Sequence, residues 1–215
     1  MSALRGALIG VLLALAGCAS APSRDYVARV ELLALLQTLN ADLLGHDSAT
    51  LTLERWCGEH RLAEPARVIA QRIGASDKPL PDALRARLQI AAAEPVRYRH
   101  VQLKCGTHVL SEADNWYVPA RLTPEMNRRL DETDEPFGKV VKPLGFQRRT
   151  LVAQLLWLPL PQGWELQSSA LRVDAPAIPR DVLRHEAVLY TAAGLPFSAV
   201  VETYTADLFA FRGRP

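Results

Sequence analysis

From Asp25 to His46 the apolar residues Val27, Val30, Leu33, Leu36, Leu39 and Leu43 recur every three or four positions, the spacing of one face of an amphipathic helix. Asp47-Ser48 then opens a second helix, over about Ala49 to His60, because a short acceptor side chain can satisfy the free N–H groups of a first turn. Between Ala66 and Ile73 the pattern shortens to a period of two, which predicts a strand, and Pro79 and Pro81 then interrupt the chain. Val96 to Lys104 and Val109 to Val118 flank Gly106 and predict a hairpin. Thr123-Pro124-Glu125 starts a helix to about Asp131, with Thr as cap, Pro in the first turn and an acid at the positive end of the helix dipole.

Four further strands are predicted over Phe146 to Leu158, Trp164 to Val173, Val182 to Ala192 and Pro196 to Asp207, the last two joined by the turn Ala193-Gly194. Connections this short pair strands antiparallel. The expectation is an α+β fold, an antiparallel sheet of about six strands with helices packed on one side.

The N-terminus carries a different kind of apolar run. Ala7 to Ala16 is apolar but far shorter than the ~20 residues that span a bilayer, with Arg5 as the only charge before it. Leu15-Ala16-Gly17-Cys18 ends the run as a bacterial lipoprotein signal does, so residues 1–17 are read as a signal peptide and Cys18 as the lipidated first residue of the mature chain. A small-residue tether over 18–24 and one domain over 25–215 complete the layout. This layout predicts a protein lipid-anchored in the cell envelope, and Ala19 after the cysteine favours the outer membrane, facing the periplasm.

Composition narrows the chemistry. The net charge is +2 and the longest basic blocks are pairs such as Arg128-Arg129 and Arg148-Arg149, which argues against nucleic acid as a partner. No CxxC, HExxH or His/Cys cluster with ligand spacing appears, so a structural or catalytic metal is not expected. With Cys18 lipidated, Cys57 and Cys105 remain, and in an oxidising compartment they either form a disulfide or stay as two buried thiols. A monomer is expected.

Two residues break the alternation of the strands that hold them. Arg99 shares a face with Val101 and Leu103, and a buried guanidinium is costly unless something anionic meets it. An internal salt bridge, or a side chain snorkelling out at the strand end, would also satisfy it. Glu202 shares a face with Val200 and Tyr204, and is the natural partner type for Arg99. The two could close a structural pair, or bracket the two polar ends of a small aromatic acid.

With these residues in view, the stretch from Asp42 to Asp207 resembles chorismate pyruvate-lyase, the family that opens ubiquinone biosynthesis and shares its fold with ligand-sensing domains of GntR-type regulators. Its Asp-Ser-x-Thr helix start is matched by Asp47-Ser48-Ala49-Thr50, and its Arg-x-aliphatic-x-aliphatic strand by Arg99-His100-Val101-Gln102-Leu103. Val118-Pro119 ends the hairpin, Pro136-Phe137-Gly138 matches a Pro-aliphatic-Gly turn, and Glu202 lies on a strand near the C-terminus. At Asn115 an arginine is expected from the resemblance.

The resemblance implies a chorismate lyase-like fold, a small aromatic carboxylic acid as ligand, and chemistry without metal or organic cofactor. Arg99, with the backbone N–H of Ala49, would hold the ring carboxylate, while Glu202 and the backbone N–H of Phe137 would face the oxygen opposite it. Arg99 and Glu202 would then be the catalytic residues of a lyase that removes pyruvate from chorismate to give 4-hydroxybenzoate. The alternative is a lipoprotein that binds such an acid in the same pocket without turnover, and a purely structural envelope protein is a third reading. His60, His100 and His185 stand apart from any acid or nucleophile pair, and Trp56, Trp116, Trp157 and Trp164 read as core.

Overall fold

The computed structural model describes residues 23–74, 77–91, 93–166 and 174–213. The signal peptide and Cys18 therefore lie outside the described residues, as does most of the strand expected over Trp164 to Val173. Its first three residues, Trp164–Leu166, form a 3-10 turn, with the Trp164 N–H on Pro161 O and the Leu166 N–H on Gly163 O. Pro161 and a Gly163 with φ of 75° set a turn where alternation suggested an extended chain.

Six strands, β1 (Val68–Arg72), β2 (Arg97–Cys105), β3 (His108–Tyr117), β4 (Gln147–Leu155), β5 (Asp181–Tyr190) and β6 (Pro196–Thr205), form one antiparallel sheet in the order β1-β2-β3-β6-β5-β4. The fold is α+β, and the expected sheet of six strands is present. Sequence neighbours make the two hairpins, whereas the central pair β3–β6 joins residues about ninety positions apart, such as Ala113 and Glu202.

Helix α1 (Arg24–Gly45) starts at Ser23, whose hydroxyl accepts from the Tyr26 N–H, and buries Leu32, Leu36, Leu39 and Leu43. Its buried stripe enters at Leu32 rather than Leu33, and Val27 is exposed. α2 (Ala49–Glu59) is capped by Ser48, which accepts from the Leu51 N–H at 3.3 Å, and α4 (Pro124–Glu132) by Thr123, which accepts from the Met126 N–H at 3.1 Å. Both caps are those anticipated from the sequence. The main core joins Leu36, Leu39, Leu43, Leu53 and Trp56 of the first two helices to sheet residues Val101, Leu103, Leu183 and Tyr204. Each such side chain contributes about 1.5–3 kcal/mol by leaving water.

Two short helices are not anticipated by the sequence pattern. Pro136-Phe137-Gly138, read as a turn, leads into α5 (Phe137–Val140), whose Phe137 packs on Tyr117 and Phe197. α3 (Asp82–Leu88) comes after the Pro79 and Pro81 break and packs Leu84 and Leu88 against Trp116, Val188 and Ala199. Those three alternate with Asn115, Leu189 and Val200 and so cover a patch of the other sheet face.

Cys57 on α2 and Cys105 at the end of β2 form a disulfide, with Cα atoms 6.5 Å apart. Of the two states left open for these thiols, the bonded one is present. It ties α2, whose start carries Ala49, to β2, the strand that carries Arg99. Among the described residues no helix is long and apolar enough to cross a membrane, and no group of three or more His, Cys, Asp or Glu side chains gathers as metal ligands.

Candidate functional site

Between the helix-covered face of the sheet and the starts of α2 and α5 lies a cavity of about 50 Å³. Strand alternation brings Arg99, Val101 and Leu103 of β2, Ala113 and Asn115 of β3, and Val200 and Glu202 of β6 to its floor. Ser48, Ala49 and Thr50 form one wall, and Phe137, Gly138 and Phe146 another. All four residues singled out for ligand contact, Ala49, Arg99, Phe137 and Glu202, therefore line one space.

The walls meet because residue 138 is glycine. A Cβ there would sit 2.9 Å from Ser48 Oγ, closer than packed atoms tolerate, and 3.2 Å from Thr50 Oγ1, a tight contact. The Asp-Ser-x-Thr and Pro-Phe-Gly segments, ninety residues apart in sequence, thus close the cavity against each other.

Arg99 is 7% exposed, and its Nε and Nη2 have no hydrogen-bond partner among the described residues. It pairs in register with Asn115, whose Oδ1 accepts from Ser198 Oγ at 2.7 Å and is thereby engaged. Burial, and then the nearby Arg72 charge, lower the Arg99 pKa to about 10 against the smaller opposing influence of Tyr117, Asp131 and Asp134, which leaves it cationic at neutral pH. Arg72 is itself engaged, donating to the Leu130 carbonyl.

Glu202 lies two strands from Arg99 and does not pair with it. Its partner is Arg148 of β4, with Arg148 Nη2 at 2.5 Å from Glu202 Oε2 and side-chain exposures of 4% and 8%. The Tyr204 hydroxyl donates to the same oxygen at 3.1 Å. Burial first, then the Glu202 charge, hold the Tyr204 phenol in its neutral form well above the usual range. Burial acts against the Arg148 charge, yet Glu202 and its neighbours raise the Arg148 pKa overall, so this cation persists at any ordinary pH.

Beside this group, His185 of β5 is fully buried, with its ring edge-on to Tyr204 at 5.4 Å and its Nε2 at 2.8 Å from Asn40 Oδ1 of α1. Its Nδ1 has no partner among the described residues. Burial, reinforced by Arg148, lowers its pKa to about 4, so the ring is neutral at pH 7. At the rim, exposed Asp47 accepts the Arg148 backbone N–H at 2.8 Å and fastens the start of β4 to the start of α2.

Sequence reasoning misses Arg148. It enters there only as half of a basic pair, although alternation along β4 sets Arg148 in phase with Thr150 and Val152, on the less exposed side of that edge strand. The period-two signal is present; what it lacks is the location of β4 next to β5, which only the sheet order supplies.

Chemically the site is a partly open, largely apolar slot whose cation at one end has no hydrogen-bond partner for two of its nitrogens among the described residues. At the other end stands a neutralised ion pair with a phenol.

No family model matches the chain. Among solved structures it is similar to PhnF from Mycobacterium smegmatis, at TM-score 0.47 and 15% identity over 76% of this chain and 66% of that one. The ligand-binding domain of a putative GntR-family transcriptional regulator from Bordetella bronchiseptica gives TM-score 0.42 and 18% identity over 66% and 84%. The possible transcriptional regulator YydK from Bacillus subtilis gives TM-score 0.40 and 16% identity over 66% of this chain, which spans 58% of YydK. Over 189 residues, 86% of its length, the chain is 53% identical to the uncharacterized protein y4mC of Sinorhizobium fredii, 79% of which is covered, and it belongs to the same family as that protein.

Proposed function

We propose that this protein is a cell-envelope lipoprotein, anchored through Cys18, that binds a small aromatic carboxylic acid in the cavity between α2, α5 and the sheet. One observation carries the reading: Arg99 is buried in the wall of a mostly apolar cavity with two guanidinium nitrogens unpartnered among the described residues. A buried charge without a counter-ion is costly, and the cost is recovered when a carboxylate enters. The apolar side chains between Arg99 and Glu202 suit a ring, which would be held by burial as well as by charge.

The test is titration of the full-length chain, in detergent, with benzoate and 4-hydroxybenzoate. Saturable binding that Arg99→Ala weakens by about 30-fold or more supports the reading, and its absence refutes it. For the anchor, Cys18→Ser should leave the precursor unprocessed and without acyl label, and a processed, labelled variant would refute it.

A second reading, turnover of chorismate to 4-hydroxybenzoate and pyruvate, is favoured by the meeting of Ser48 and Gly138, the two chorismate lyase-like segments, on this cavity. Both products should then accumulate when the protein is incubated with chorismate. An acid role for Glu202 is weakened by Arg148 and Tyr204, which already occupy its Oε2.

A further inference from the structure

The geometry points to Arg148 as the residue that sets the ligand's charge: by cancelling Glu202 it leaves Arg99 as the buried charge of the cavity lining without a hydrogen-bonded counter-ion, so the site selects acids charged at one end over acids charged at both. This rests on the acid-binding reading and deepens it.

Consider the ionisable groups at the Glu202 end. Arg148 and Glu202 are buried together at 2.5 Å and sum to zero. Tyr204 adds an uncharged phenol, and His185 behind it adds a neutral ring. Asp47, the remaining acid on the lining, is exposed at the rim and engaged by the Arg148 backbone. At the other end Arg99 has no hydrogen-bonded carboxylate among the described residues, and Asp131 and Asp134, which favour its charge, lie outside the lining of this cavity. A ligand carboxylate at Arg99 therefore supplies the hydrogen-bonded counter-ion that the lining of this cavity lacks.

A second carboxylate at the far end would meet Glu202 with the counter-ion already committed. Like charges brought together in such surroundings are strongly disfavoured. An uncharged oxygen is welcome there, because Arg148 Nε is buried without a partner among the described residues. Chorismate, with two carboxylates, would therefore be a poorer ligand than a singly charged aromatic acid.

The test compares two ligands of nearly the same size and shape, 4-nitrobenzoate with one negative charge and terephthalate with two, titrated into the full-length chain in detergent at pH 7.5. Wild type should bind 4-nitrobenzoate on the order of 100-fold more tightly. Glu202→Gln frees the Arg148 charge, and the preference should fall at least about 10-fold because a second carboxylate now has a cation to meet. Replacing both, Arg148→Met with Glu202→Gln, should restore the wild-type preference. Equal affinities in wild type, or an unchanged ratio in a folded Glu202→Gln variant, would overturn the inference and leave acid binding intact. Failure of wild type to bind 4-nitrobenzoate would instead overturn acid binding and this inference with it. The wild-type ratio decides the matter even if a variant fails to fold.

Discussion

Arg99 and Arg148 line the same cavity and both are buried, yet one faces a carboxylate at 2.5 Å and the other has two nitrogens without a partner among the described residues. The difference separates a charge that the fold keeps for itself from one that the fold leaves open. Arg148 belongs to a group that reaches from β4 to β6 and, through His185, to Asn40 of α1, so its neutralisation is part of how the sheet and helices fit. Arg99 has no such hydrogen-bonded partner among the described residues, and a buried charge so placed is costly. A site of function is where that asymmetry is expected.

The comparison breaks hardest at the paired end. Arg148→Met leaves Glu202 buried without its counter-ion and should cost about 3–5 kcal/mol in urea denaturation. Replacing both partners, Arg148→Met with Glu202→Leu, should recover most of that loss. A single variant as stable as wild type would mean that the pair is not buried as described.

Next in size is a pH effect from the same end. His185 has a folded pKa of about 4 against an ordinary value of 6.5, so between these values the unfolded chain binds more protons. Stability is therefore full above about pH 6.5 and falls as the pH drops towards 4, by up to about 3 kcal/mol from this residue. His185→Gln should flatten that part of the stability-against-pH curve. Because the Arg148 charge is the second cause of the shift, an Arg148 variant that still folds should also titrate His185 at higher pH.

At the unpaired end the sign reverses. Arg99→Met removes a buried cation with no partner, and should leave the protein as stable as before or more stable by about 1–2 kcal/mol, while acid binding is lost. A loss of more than about 1 kcal/mol would show that Arg99 serves the fold as Arg148 does. Smallest is Gly138→Ala, whose Cβ would press on Ser48 Oγ and Thr50 Oγ1. About 1 kcal/mol of destabilisation is expected, with weaker binding as the two walls part.

How far the sequence foretells this differs from residue to residue. Arg99 and Glu202 are legible because each interrupts an otherwise apolar strand face, and interruption of alternation is a local signal. Ser48 and Thr123 are legible as helix caps for the same reason, since a cap is a contact between residues three apart. Arg148 is not legible as part of the site, because an edge strand half open to water tolerates arginine on either face and its partner is 54 residues away. The 3-10 turn at Trp164 reads as a strand because Trp164, Glu165 and Leu166 alternate apolar and polar, while Pro161 and a positive-φ Gly163 just before them set a turn that overrides the alternation.

By itself, then, the sequence determined the class of fold, most of its elements, the cysteines able to pair and two charges that needed an explanation. Hydrophobic period and capping act over a few residues, and so can be read along the chain. Only the tertiary structure decided which charge answers which. Strand order sets Arg99 and Arg148 each two strands from Glu202, and it is the Arg148 side chain that reaches the carboxylate. Charge compensation depends on the distance between side chains in space, which neither separation along the chain nor the order of strands reveals.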